Sequence, residues 1–97
     1  MRRLPPPLNG PGLILLADVT SDIPRSGKTI HRISGQVAAP AAGLAIYRSD
    51  DGNGYYLFGC DSEWEVVTDT WHPTIEEAKS QAEFEYPGIA EHWYKPA

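Results

Sequence analysis

The chain has 97 residues, the common size of one domain, and a chain this short buries roughly 60–65% of its unfolded surface, enough for one modest core and not for two. Its 41% hydrophobic and 22% charged content is ordinary for a globular protein, whereas nine prolines and nine glycines exceed average usage and predict many turns with helix as the minority element. The net charge of −5 is uneven: residues 1–48 carry six cations against two carboxylates, a balance of +4, and residues 49–97 carry two against eleven, a balance of −9.

An acidic half repels phosphate backbones, and the cations of the other half are scattered rather than interleaved with aromatics, so no nucleic-acid partner is expected. Cys60 is the only cysteine, which excludes an intrachain disulfide and suits a reducing, cytoplasmic location. Near the start, the apolar run from Leu13 to Ala17 stops at Asp18 after five residues. A secretory core needs about 7–15 and a membrane span about 20, so no membrane association is expected.

Residues 1–12 contain Pro5, Pro6, Pro7 and an Asn-Gly-Pro-Gly run, which cannot form helix and reads as a flexible leader before a single domain over 13–97. Leu13 to Val19 is a short apolar strand ended by Ser21, Asp22 and Pro24. Thr29 to Ala38 reads as a second strand, less cleanly alternating. Between them Gly27-Lys28-Thr29 has the ending of a phosphate-binding loop. That loop needs a glycine where Asp22 stands and a helix afterwards. Leu44 to Arg48 opens a meander, because Asp50-Asp51-Gly52-Asn53-Gly54 is dense in residues that tolerate positive φ. Tyr55 to Cys60 returns with Tyr56, Phe58 and Cys60 on one face and Tyr55, Leu57 and Gly59 on the other. Asp61-Ser62-Glu63 turns, and Trp64 to Asp69 forms the third strand of the meander.

Thr74 and Glu77 have the spacing of a capping box, and Glu76 and Glu77 complement the positive end of the helix that follows. Ile75, Ala78, Ala82 and Tyr86 form the stripe of a helix packed on a sheet, and Pro87-Gly88 ends it. Phe84 breaks the pattern, lying on the opposite side among Glu77, Ser80 and Gln81. A phenylalanine in water forgoes about 1.5–3 kcal/mol of burial. Phe84, with Ile89, Trp93 and Tyr94 from beyond the helix, is therefore the expected apolar centre of a contact with a protein partner, with the chain's own tail or with a second copy.

The histidines, the cysteine and the carboxylates show no HxxxH, CxxC or HxxE spacing, so no metal and no cofactor are expected. Cys60, Asp61 and His72 are the one combination that resembles a nucleophile, base and orienter around a ligand pocket, against the ordinary reading of a core cysteine and a strand-end histidine. Trp64 and Trp71 read as packing residues.

The stretch YLFGCDSEWEVVTDTWHPTIEEAKSQAEFEYPG resembles a motif of a group of small uncharacterised bacterial proteins: an aromatic strand, Cys-Asp, a tryptophan, Asp-Thr-Trp-His and a helix ending in QAEFEY. The resemblance covers residues 44–93. It implies the strand–strand–helix order and no catalytic residue. The reading is an α+β domain, an antiparallel sheet of about five strands with one C-terminal helix packed on a face. Its leading function is a non-enzymatic protein-interaction module. The alternatives are an immunity or antitoxin-like protein that neutralises a basic partner, and a small enzyme or ligand binder at Cys60 and His72. With Asp22 in the glycine position and no ligand spacing, calorimetry is expected to show no micromolar binding of ATP or zinc.

Overall fold

Two polar turns bend the acidic half into a meander. The Asp51 carboxylate accepts hydrogen bonds from the Ser49 hydroxyl at 2.7 Å and the Asn53 amide at 2.9 Å, while Gly52 and Gly54 take the left-handed backbone at φ 76° and 115°. The Asp61 carboxylate does the same at the next reversal, accepting from the Glu63 amide at 2.9 Å and the Glu65 amide at 3.0 Å. Both are side chains that replace a backbone turn bond with their own.

The computed structural model describes Leu8 and residues 10–20, 32–33, 36–37 and 41–96. The proline cluster, the turn at Ser21, Asp22 and Pro24, the Gly27-Lys28-Thr29 triplet and His31 lie outside the described residues. In chain order the elements are β1 (Leu13–Asp18), β2 (Arg32–Ile33), β3 (Gln36–Val37), β4 (Gly43–Arg48), β5 (Tyr55–Cys60), β6 (Val66–His72), α1 (Ile75–Glu85), a 3-10 turn (Ile89–Glu91) and β7 (Trp93–Tyr94). Five strands form an antiparallel sheet in the order β6-β5-β4-β1-β7, and β2 pairs with β3 separately. The expected α+β architecture, five strands and one helix, is the one observed.

The membership of the sheet differs from expectation in two places. The stretch from Thr29 to Ala38 contains two short strands paired with each other, Arg32 with Val37 and Ile33 with Gln36, rather than one strand of the main sheet. The fifth strand comes from the tail instead, where Trp93 lies opposite Ala17 and Tyr94 opposite Leu16. Also, β6 begins at Val66 and not at Trp64, because Trp64 closes the Asp61 turn at φ 63°. That left-handed backbone costs a residue with a side chain on the order of 1–2 kcal/mol, and burial of its indole to 3% exposure offsets it. The ring lies over Gly43, where an added Cβ would meet it at 2.6 Å.

The core has two layers, one on each face of the sheet. Leu44, Ile46 and Leu57 turn to α1 and meet Ala78, Ala82, Tyr86 and Ile89, with Ala17 of β1 beside them. Leu16, Ala45 and Cys60 turn the other way and meet Trp64 and Leu8. Leu8, inside the stretch read as a leader, is fully buried, so packing begins before the boundary drawn at residue 12. A register irregularity between Leu13 and Leu15 lets β1 place both Ile14 and Leu15 against the helix layer, as a bulge does.

The capping box has formed at its threonine end: the Glu77 amide donates to the Thr74 hydroxyl at 3.1 Å. Small alanines at 78 and 82 let the helix sit close to β4 and β5. At its far end, the Glu83 carboxylate accepts from the amides of Gly88 at 2.6 Å and Ala90 at 3.1 Å, turning the chain back under the helix. Thr74→Ala is expected to lower stability by about 0.5–2 kcal/mol, read as a lower urea midpoint with an unchanged slope; an unchanged midpoint would show that the cap contributes nothing.

Candidate functional site

Cys60, Asp61 and His72 do not converge. In the β5–β6 ladder His72 lies opposite Tyr55, and Cys60 lies opposite Val66. Cys60 is five residues along the strand from Tyr55, which at the rise of an extended chain is about 17 Å. They also occupy opposite faces: Cys60 packs with Trp64 and Leu16, while Tyr55, the residue facing His72, packs on the helix layer. The thiol is fully buried. Desolvation, reinforced by the carboxylates of Asp61 and Glu65, pushes its pKa up to about 12, so at neutral pH it carries its proton and is a poor nucleophile. Asp61 spends its carboxylate on the turn. The proposed pocket is thus replaced by three separate structural roles.

His72 has a different neighbour. Its Nε2 lies 2.8 Å from the Thr70 hydroxyl, two residues back on the same face of β6. Partial burial lowers the imidazole pKa, opposed by the carboxylates of Glu77 and Glu85. Glu85 is itself buried, accepts from the Gln81 side-chain Nε2 at 2.8 Å, and borders a cavity of about 10 Å³ shared with Thr68, Thr70 and Tyr86. That volume is room for about one water and excludes a substrate. Among the described residues no group of three or more His, Cys, Asp or Glu is placed to hold a metal, and no helix is long and apolar enough to cross a membrane.

The four residues expected to centre a contact also separate. Ile89 is fully buried beneath the helix, so it is core and is not available to a partner. Trp93 is half-buried against the same layer, as a strand residue rather than a loose tail. Phe84 and Tyr94 remain at the surface, 46% and 42% exposed.

Among the described residues the other exposed large apolar side chains are Val67 at 42% and Trp71 at 51%, and both lie on β6. Trp71, read from sequence as packing, covers Gly54 with one side of its ring and donates its indole N–H to the Asn53 carbonyl at 3.2 Å, leaving the rest of the ring open. The backbone of this strand can be oriented from the neighbouring ladder. The Ser49 amide donates to the Gly54 carbonyl at 2.9 Å, which makes residues 49 and 54 a hydrogen-bonded pair. Such pairs alternate along antiparallel strands. Tyr56 and Phe58 therefore bond β4, and Tyr55, Leu57 and Gly59 bond β6 through their partners His72, Thr70 and Thr68. The amide and carbonyl groups of Asp69 and Trp71 then point away from the sheet, along an edge that no strand covers among the described residues, whereas the register shift opposite Gly59 and Cys60 makes Val67 a bulge outside this alternation.

Asp69 and Trp71 also project to one face, the face of Tyr56 and Phe58, whose rings stack with centroids 5.6 Å apart. Beside those rings a surface trough of about 470 Å³ is bordered by Tyr47, Arg48, Asp50 and Asp51; Asp51 is held below its ordinary pKa by the bonds from Asn53 and Ser49, so it is committed to its turn. The alternation in Val66-Val67-Thr68-Asp69-Thr70-Trp71-His72 was the sequence signal for this edge, legible once the strand is known to be last in the meander. No family model, no curated protein and no solved structure matches the chain.

The lowered pKa of His72 has a sign. The folded state resists its protonation, so its contribution is intact above the unfolded value near 6.5 and is lost as pH falls below it. Between about pH 7.5 and pH 5.5 the urea midpoint of the wild type is expected to drop more than that of His72→Gln; equal drops would remove His72 from the pH dependence.

Proposed function

We propose that this chain is a non-enzymatic, cytoplasmic protein-interaction module that takes an extended segment of a partner protein onto the edge of its sheet at β6. One observation carries the reading: β6 is seven residues long, ends the sheet among the described residues, and holds Trp71 exposed beside the outward backbone groups of Asp69 and Trp71. Long edge strands with apolar side chains are templates for strand addition unless something covers or blunts them. The opposite edge, β7, has only two residues and offers little to pair with. The distance between Cys60 and His72 and the buried thiol speak against the catalytic alternative at those residues.

The balance of −9 over residues 49–97 favours a basic partner, which keeps the immunity or antitoxin-like role within the same reading. The resemblance to small bacterial proteins over residues 44–93 agrees with the strand–strand–helix order and adds no activity. A second copy of the chain, carrying the same acidic half, is the weaker partner.

The test is a titration of the isotope-labelled chain with the synthetic peptide Thr-Val-Thr-Ser-Thr-Val-Thr, followed by amide shifts. Shifts centred on Asp69 and Trp71, lost in Asp69→Pro, are expected; that substitution removes an outward donor and spares the bonds to β5, where an edge proline is tolerated. Shifts centred on Phe84 and Tyr94 would move the surface to the helix, and no shifts at millimolar peptide would refute strand addition.

A further inference from the structure

Resting on the reading of a basic partner, though not on the added strand, we infer that the trough beside Tyr56 and Phe58 is a binding site for the guanidinium group of a partner's arginine side chain. The trough lies on the face of the sheet away from α1 and not at its edge. Three aromatic residues border it, Tyr47, Tyr56 and Phe58, together with Asp50 and Asp51 of the hairpin. Its volume of about 470 Å³ falls in the range of sites that hold a small ligand or a single side chain.

The walls are in place before anything binds. Tyr56 and Phe58 lie parallel to within 3°, and the Tyr47 ring stands at 49° to that of Phe58, with centroids 6.2 Å apart. Gly10 and Gly12 let the preceding chain pass so close to Tyr47 that an added Cβ at either would strike its ring. Rings fixed in this way lose little freedom when a ligand arrives.

Charge selects the class of ligand. Arg48 borders the trough, but its place in β4 alternates with Tyr47 and sets it on the helix side with Leu44 and Ile46, opposite Tyr55. The charged groups left on the trough's own face are acidic. Asp50 is exposed, and its carboxylate takes no part in the hairpin bonds that Asp51 accepts. Asp51 is tied to its turn and adds only its charge, which the bonds from Asn53 and Ser49 preserve to lower pH. Asp69 lies opposite Phe58 on the same face. Ring faces carry negative potential, so aromatic rings beside carboxylates attract cations, and the same carboxylates repel phosphates.

Among cations the guanidinium fits best. It is planar and lies flat on a ring, it is weakly hydrated and loses little when brought against apolar surface, and it offers a fork of donors to a carboxylate; an ammonium is a strongly hydrated point charge. An arginine stacked on Tyr56 or Phe58 has Asp50 as the acceptor for its outer N–H groups. Tyr47, Tyr56 and Trp71 face one another directly across three strands, so the aromatic surface continues from the trough to the exposed ring on β6.

The test titrates the isotope-labelled chain with N-acetyl-arginine amide, its lysine counterpart and N-acetyl-citrulline amide, each to tens of millimolar at fixed ionic strength, followed by amide shifts. The arginine probe is expected to shift Tyr47, Asp50, Tyr56 and Phe58 and to bind more tightly than lysine, with citrulline, its neutral isostere, silent. Asp50→Asn should weaken binding about two- to fivefold, the size of one exposed charge pair. Tyr56→Leu should weaken it about three- to tenfold, and Tyr56→Phe, which keeps the ring, should leave it unchanged. Asp50 is exposed, so its variant tests the site even where Tyr56→Leu does not fold. Equal response to citrulline, equal affinity for lysine, shifts centred on Glu76 and Glu77 of α1, or no shifts would each overturn the inference and leave strand addition at β6 standing, because that reading rests on the backbone of Asp69 and Trp71. Unchanged affinity in both Asp50→Asn and Tyr56→Leu would overturn it as well.

Discussion

Strand β4 is buried on both of its faces, and the rest of the molecule is arranged to keep it so. Leu44 and Ile46 are 3% and 0% exposed toward the helix, and Ala45 is 0% exposed on the other side. Each large aliphatic side chain removed from water there contributes about 1.5–3 kcal/mol, set against the entropy of ordering the chain. The second layer is thinner: alanine at 45 leaves space that Trp64, folded back over Gly43, and Leu8 fill. A left-handed tryptophan and a leucine ahead of the first strand are both consequences of that one shallow position.

The acidity of the second half has a structural share. At three reversals a carboxylate takes backbone amides that the turn would otherwise leave without partners: Asp51 at the first hairpin, Asp61 at the second, and Glu83 where the helix gives way to the tail. These bonds hold the ends of β4, β5 and β6 in register and bring β7 back to β1. Carboxylates committed in this way are poor candidates for ligand chemistry. Asp69 is different, since it stands in mid-strand between two exposed apolar residues.

The two sheet edges differ in kind. At one, the tail strand is brief and is carried there by the 3-10 turn whose Ile89 is anchored in the core. At the other, β6 is long, β-branched and capped by the helix start, with its helix-side threonines and His72 tied to the fold and its outer side exposed. A strand in that position is a standing hazard for a small protein unless it is used or guarded.

Local pattern was enough for much of this. The capping box at Thr74, the Ala78 and Ala82 stripe, the glycine-rich hairpin and the two faces of Tyr55 to Cys60 follow from spacing alone, because each depends on contacts within a few residues. What spacing could not reveal were the pairings between distant segments. Whether Trp93 and Tyr94 form a tail or a strand depends on β1 offering them a free edge, seventy-odd positions earlier in the numbering. Whether Cys60 and His72 meet depends on ladder register, which runs them to opposite ends of one strand pair. Ile89 and Trp71 exchanged their expected roles for the same reason: one lies where the returning chain passes under the helix, the other on the last strand of the sheet. Burial is a property of what lies opposite a residue, and in this chain the decisive neighbours are remote in sequence.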